Sequence, residues 1–305
     1  MKTKLLIEQH FHGAFGINFN NCTVDDVLYL AKEITKYGIY GIFPTLATDT
    51  VENIKKQISI IKQAAGMHTP DTAKIFGVHL EGIFLNPEKK GIHDEKLFLK
   101  PTIENYKLIE DDFIKILTYA PEFDENYALA KYLLTKDVKI QAGHCTGGDL
   151  SYCDGATHLF NAMSGVVQRG TSTALTALTD DSIFTEIIAD GVHVSDSILR
   201  LVFKVKPADK ILLVSDCLPI TKSSLKQMEF EGETIYFDGE KATSKDGTLA
   251  GSTKLLPDII KRLGLMGLFT PQLVENTHKY HNIELDGEIE WDDNFNIVKV
   301  VPFGG

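Results

Sequence analysis

The sequence predicts an α/β fold built as a (β/α)8 TIM-type barrel, on three observations. Eight short apolar runs recur between residues 5 and 216, at 5–12, 41–47, 74–82, 114–122, 138–144, 156–162, 184–193 and 210–216. Amphipathic stretches with a 3- and 4-residue apolar spacing separate most of them. Eight strand–helix units within roughly 220 residues match a barrel, whereas a doubly wound open sheet does not normally supply eight parallel strands in a row.

The elements follow in order. Thr23-Val24-Asp25-Asp26 opens the first helix, with Thr23 as N-cap and acids in the first turn. Val27, Leu30, Ala31 and Ile34 form its apolar face, and Gly38 ends it. Similar patterns run over 50–65, 103–112, 125–136 and 195–203. After residue 217 the pattern changes. Residues 228–252 alternate and carry the turn signals Asp238-Gly239 and Asp246-Gly247, which predict a β-hairpin or small meander inserted after strand eight. Two helices are expected near 253–264 and 270–279, and a terminal hairpin around Asp292–Asn296. The organisation is therefore a barrel over 1–275, with its insertion at 228–252, and a C-terminal stub of a small β-domain at 276–305.

Composition narrows the function. Of 305 residues, 43% are hydrophobic and 24% charged, an ordinary globular balance. The formal net charge of −11 disfavours a nucleic-acid partner, which calls for a clustered basic surface. No apolar run approaches the roughly 20 residues of a membrane span, and the N-terminus lacks the apolar core of a signal peptide. Four cysteines without a CxxC pair fit a reducing cytoplasm rather than a disulfide framework.

The chemistry of a barrel of this kind sits at the C-terminal ends of its strands. Strand one ends in His10-Phe11-His12, and period-2 alternation puts both imidazoles on one side, facing the interior. Strand three ends in His79-Leu80-Glu81-Gly82, strand five in Gly143-His144, and strand six carries Thr157-His158. Strand seven ends in Asp190-Gly191-Val192-His193 and strand eight in Ser215-Asp216. Taken singly, each has a plainer reading as a core histidine, an ion-pair partner or a helix cap. Burying all of them in one barrel mouth would be costly without a partner, and a bound cation is the simplest one. Imidazole with carboxylate suits zinc or another first-row divalent ion, and an Asp at the last strand end suits a general base. Nearby stand the lysine-rich loop NPEKKG with Ile92-His93, Asn161-Ala162, Arg169, and the small Leu249-Ala250-Gly251 stretch.

The ordered motifs HFHG, GVHLEGIFLNPEKKGIH, LTYAPE, AGHCTGG, THLFNAMS, IIADGVHVS, LLVSDCLP and TLAGST resemble the N-acetylglucosamine-6-phosphate deacetylase family of the amidohydrolase superfamily, from about residue 7 to 264. The resemblance implies a barrel of the metal-dependent hydrolase kind, acting on the N-acetyl group of an amino-sugar 6-phosphate. It assigns Glu81, His144 and His158 to the catalytic divalent metal, and His10 and His12 to a second metal position, for one or two ions. Asp216 becomes the catalytic acid/base. Ile92, His93 and His193 contact the sugar, with His193 near the amide carbonyl. Asn161, Ala162 and Arg169 contact the phosphate, and Leu249, Ala250 and Gly251 line the pocket. A homodimer is also implied. The remaining readings are an amidohydrolase on another N-acyl substrate, such as the galactosamine epimer, and a catalytically silent sugar-phosphate binder.

Three departures from the family pattern carry expectations. The HxH motif begins at residue 10, leaving only a reduced small β-segment. Residues 145–155 are too few for a full crossover helix, which normally takes about 10–12 residues or more, so a turn or short 3₁₀ segment is expected there. Ile83 stands where proline is usual, and the loop geometry is expected to differ.

Overall fold

The computed structural model describes residues 1–147 and 149–302. Gly148 and residues 303–305, the last of the expected C-terminal stub, lie outside the described residues. The apolar runs form strands because their β-branched and aromatic residues are buried on both faces, as a parallel sheet covered by helices requires. Lys2–Lys4 (β1) belongs to a separate sheet. The main sheet runs through Leu6–Phe11 (β2), Ile39–Leu46 (β3), Val78–Glu81 (β4), Ile114–Tyr119 (β5), Lys139–Ala142 (β6), Gly155–Ala156 (β7), Phe184–Ile187 (β8) and Ile211–Leu213 (β9), with the short Lys74–Ile75 also paired to β3 off this path. Each pairs in parallel with its sequence neighbour. The two outer strands approach each other. His10 O accepts from Asp216 N at 2.8 Å, and His12 N donates to Cys217 O at 2.8 Å. The eight strands thus make a curled parallel sheet of TIM-like form.

Helices cover the outside. Val24–Glu33 (α1) starts in a capping box, with Asp26 N donating to Thr23 Oγ1 and Thr23 N to Asp26 Oδ2. Val51–Ala65 (α2) is capped by Thr50. Ile103–Lys107 (α3) and Ala128–Leu133 (α4) are shorter than their sequence patterns. For α4 the reason is local. Asn126 and Tyr127 take left-handed φ values of 55° and 53°, and Asp124 then caps the delayed start by accepting from Leu129 N and Ala130 N, each at 2.9 Å. Between β6 and β7 the described residues form turns, bends and one isolated bridge, Cys145 to Met163, with no helix, as the short connection requires. Thr173–Thr179 (α5), Asp196–Val205 (α6), Leu256–Leu265 (α7) and Gln272–His281 (α8) follow.

The expected insertion is a three-stranded antiparallel meander of Gln227–Phe230 (β10), Glu233–Phe237 (β11) and Ala242–Ser244 (β12). Its inner face, Phe230, Ile235 and Ala242, packs with Ala47, Ile92, Leu218 and Ala250, all from segments beyond the strand ends. That packing sets the meander over the mouth of the sheet.

Gly287–Trp291 (β13) and Ile297–Pro302 (β14) form the terminal hairpin, and β1 adds to it as an edge strand. Trp291 Nε1 donates to Thr3 Oγ1 at 2.9 Å, joining the hairpin to the first strand. The sequence boundary at 275/276 falls inside α8. That helix is fixed to the main sheet, with Asn276 Nδ2 donating to Ile211 O at 2.8 Å and His278 Nε2 bonded to Leu5 O at 2.8 Å.

The hairpin is seated by Phe295, whose ring lies over Gly264 of α7. A Cβ at position 264 would come within 2.3 Å of that ring. Gly264→Ala is therefore expected to displace Phe295 and destabilise the protein by about 1–3 kcal/mol, read as a lower urea midpoint at unchanged m-value.

Candidate active site

The strand ends deliver their side chains through unusual backbone. His144, His158 and Asp216 have φ of 48°, 28° and 51°, and Ile83, just past Glu81, has 55°. Non-glycine residues in this region cost of order 1–3 kcal/mol each and persist only where their surroundings over-determine them. Ile83 is the more informative because proline, fixed near −65°, cannot take this φ. A proline at position 83 would therefore not fit this backbone, while the buried isoleucine is accommodated. Gly82 lets the same turn press against the next strand's loop, where a Cβ would meet Thr48 N at 2.5 Å.

The result is a convergence of imidazoles on Glu81. Glu81 Oε2 lies 3.0 Å from both His10 Nε2 and His12 Nε2. Glu81 Oε1 lies 2.8 Å from His158 Nε2 and 3.3 Å from His144 Nε2, yet accepts no hydrogen bond. Asp216 Oδ1 is 3.3 Å from His10 Nε2 and 3.2 Å from His12 Nε2. All six residues are buried. Burial by itself would raise the Glu81 carboxyl pKa, but His10 above all, with His12, holds it well below the usual carboxylate range. Asp216 is likewise lowered against its burial, by His10 and His12. Both are acceptors at neutral pH.

The donor set fits a cation. His144 Nδ1 lies 2.7 Å from Lys89 O, which can only accept, so Nδ1 carries the proton and Nε2 presents its lone pair. That lone pair faces His158 Nε2 at 3.1 Å as well as Glu81. His10 Nδ1 faces the Glu186 carboxylate at 2.9 Å, and against its burial Glu81, Glu186 and Asp216 together raise the His10 pKa well above its usual value, so without a metal ion His10 Nε2 carries a proton between Glu81 and Asp216, the place a cation would take. Lone pairs converging on carboxylates in a buried space need a proton or a cation between them. Two overlapping groups have ligand atoms mutually within 4.8 Å: His10, His12, Glu81 and Asp216, and Glu81, His93 and His144. This buried cluster could hold a metal ion.

Above it opens a cavity of ≈ 360 Å³, lined by His12, Glu81, His144, His158 and Asp216 at its floor. Ile92, His93, Asn161, Ala162, His193, Leu249, Ala250 and Gly251 line the walls. His10 lies beneath. Of the residues singled out in the sequence, Arg169 alone is not brought in. It stands exposed in the loop that follows Met163 and is absent from the lining. The lysine among the lining residues is Lys89, from the NPEKKG loop. His93 is a neutral imidazole, held well below its usual pKa by burial and by His144, with Nδ1 3.0 Å from Thr48 Oγ1. His193 is the opposite. Burial lowers its pKa, but Asp190 at 2.8 Å from Nδ1 outweighs this and raises it, and Nε2 bonds Ala250 O at 2.9 Å.

Sequence reasoning missed the supports beneath this layer. Glu186 holds His10, as above, and Glu8 accepts from His10 N and Ser215 N, each at 3.2 Å. Burial pushes the Glu8 carboxyl up to about 8, so it is largely protonated at neutral pH. The available signal was a glutamate inside an otherwise apolar strand, in LLIEQH and FTEII. His79, read only as part of a strand end, bonds Thr118 Oγ1 at 2.8 Å and packs its ring on His10.

Comparison with known proteins places this arrangement. No family model matches the sequence. The chain is 29% identical over 259 residues to N-acetylglucosamine-6-phosphate deacetylase of Bacillus subtilis, covering 81% of this chain and 65% of that one. To the enzyme of that name from Caenorhabditis elegans it is 30% identical over 285 residues, covering 84% and 67%. The chain thus spans about two thirds of the length of these relatives. The crystal structure of the Thermotoga maritima deacetylase superposes with a TM-score of 0.89 at 24% identity, covering 99% of this chain and 87% of that one. A mutant of the Mycobacterium smegmatis deacetylase, in complex with N-acetyl-D-glucosamine-6-phosphate, superposes with a TM-score of 0.90 at 21% identity, covering 99% and 85%. With the nematode relative matched over 67% of its length at 30% identity, the chain belongs to the N-acetylglucosamine-6-phosphate deacetylase family.

Proposed function

We propose that this chain is a metal-dependent amide hydrolase that removes the acetyl group from N-acetylglucosamine-6-phosphate, giving glucosamine-6-phosphate and acetate. The observation that carries the reading is an ionised, buried Asp216 beside converging imidazoles at the floor of a cavity of sugar-phosphate size, in a member of this family. The fold is read as a closed (β/α)8 barrel of the metal-dependent hydrolase kind, supported by the backbone bonds between the β2 and β9 ends.

Glu81, His144 and His158 would hold the catalytic ion, zinc first among the candidates, with His10 and His12 available to a second. A divalent ion so held supplies a water of lowered pKa and polarises the amide carbonyl. Asp216 is poised as the base. It takes the proton of the attacking water as the new C–O bond forms, then returns it to the amide nitrogen as the C–N bond breaks. His193, kept protonated by Asp190, offers the Nε2–H that it now gives to Ala250 O, and this donor suits the charge that develops on the carbonyl oxygen. Asn161 and Ala162, which line the cavity, would contact the phosphate, with Lys89 as the cation at the wall; Arg169 stands outside. A net charge of −11 makes that local cation necessary for an anionic substrate.

Three measurements test the reading. Chelator treatment is expected to abolish acetate release, and added Zn²⁺ to restore it. Full activity in demonstrably metal-free protein would remove the metal from the mechanism. Asp216→Asn is expected to lower kcat by about 10²–10⁴-fold while the metal content stays unchanged; near wild-type turnover would exclude Asp216 as the base. The acetate-release assay is expected to favour N-acetylglucosamine-6-phosphate over its unphosphorylated form and over the galactosamine epimer, with Lys89→Ala raising KM for the phosphorylated sugar alone. Equal kcat/KM with and without the phosphate would overturn the phosphate assignment.

A further inference from the structure

Glu186 lies within β8, fully buried and outside the cavity lining. A carboxylate in such a place is expensive unless its oxygens are occupied. One of its oxygens is occupied by two of the residues read above as metal ligands. Oε2 lies 2.9 Å from His10 Nδ1 and accepts from the backbone N–H of His158 at 3.2 Å. One oxygen of a β8 side chain thus grips a ligand from β2 and the strained residue that follows β7. The other oxygen, Oε1, accepts from Gln9 Nε2 at 2.6 Å. Gln9 Oε1 in turn lies 2.8 Å from His281 Nε2, on the last helix, whose ring stacks on Phe43. Consecutive residues Gln9 and His10 both reach Glu186 because β2 loses regular register with β3 between Glu8 and Phe11.

We propose that Glu186 is a positioning residue for the metal centre, braced through Gln9 by His281. Its carboxylate fixes the proton of His10 on Nδ1, leaving Nε2 to ligate, and holds the His158 backbone in the left-handed turn that aims the imidazole at Glu81. Outer partners of this kind typically govern metal affinity by about 10–100-fold. His281 enters because it stops Gln9 from rotating away, which fixes the second oxygen and so the plane of the carboxylate. The inference rests on the reading that His10 and His158 are ligands.

The test uses the full chain, stripped of metal and titrated with Zn²⁺ against a competing coloured chelator, alongside thermal unfolding of the metal-free form. Glu186→Gln, which keeps the volume and the Gln9 contact, is expected to weaken Zn²⁺ binding by about 10–100-fold with the metal-free Tm nearly unchanged. His281→Phe, which keeps the stacking on Phe43 and removes only the N–H, is expected to shift affinity in the same direction by less. It carries the test if Glu186→Gln does not fold. A fall in metal-free stability with Zn²⁺ affinity unaltered would reduce Glu186 to a structural residue and overturn the proposal. A wild-type chain that takes up no Zn²⁺ would instead remove the ligand reading beneath it, so the two failures are distinguishable.

Discussion

The structure depends on one buried carboxylate, Glu81, around which four imidazole nitrogens gather within hydrogen-bond range, with a second carboxylate, Asp216, beside them. Such a group is unfavourable in a protein interior unless charge is balanced locally. The sheet geometry supplies the balance. Its curvature brings the ends of β2, β4, β6, β7 and β9 to one place, and its parallel order makes every one of those ends a C-terminal end. The same backbone bonds that bring the ends of β2 and β9 together, through His10 O and His12 N, also set Asp216 against His10 and His12. Fold and site are therefore one constraint seen twice.

The left-handed residues show where the fold acts against local preference. His144, His158 and Asp216 could each relax by a change of φ, and each is prevented by a specific bond: Asn86 N to His144 O, His158 N to Glu186, Asp216 N to His10 O. These bonds explain how a two-residue β7 can present a ligand at all. With no helix among the described residues between β6 and β7, packing from outside is thin there, and hydrogen bonds from inside the sheet replace it.

Much of this was legible from residues alone. The eight apolar runs, the capping box at Thr23 and the meander all follow from periodicity and turn chemistry, which are local properties. The floor of the site was legible because polar residues at the ends of apolar runs stand out. The illegible parts depend on irregularity or on depth. Glu8 shares the interior-facing parity of His10 and His12, yet the partners of Glu8 and Glu186 lie on strands far away in sequence, at Ser215 and at His10 and His158, which no local pattern indicates. The truncated α4 follows from two left-handed residues that no propensity indicates. A boundary at 275/276 cuts α8 because an amphipathic helix reads the same whether it packs on the main sheet or on the terminal hairpin. The charge of Arg169 suggests a phosphate partner, but a loop with glycines at 165 and 170 carries it into solvent. Nothing in the pair Lys89-Lys90 distinguishes one lysine from the next.

The 86–93 loop ties the floor of the site to its wall. Its Asn86 N–H holds the His144 carbonyl, its Lys89 carbonyl fixes the His144 tautomer, and its His93 packs edge-on against the His144 ring. The same loop presents the Lys89 side chain, Ile92 and His93 to the cavity. A substrate that draws on Lys89 or His93 thereby acts on the orientation of His144. The wall and the floor of the cavity thus meet at a single imidazole, His144. The same arrangement also accounts for the left-handed turn at Ile83. The loop must double back over β6 to reach His144, and Ile83, whose carbonyl accepts from Leu99 N at 2.6 Å, is where that reversal begins.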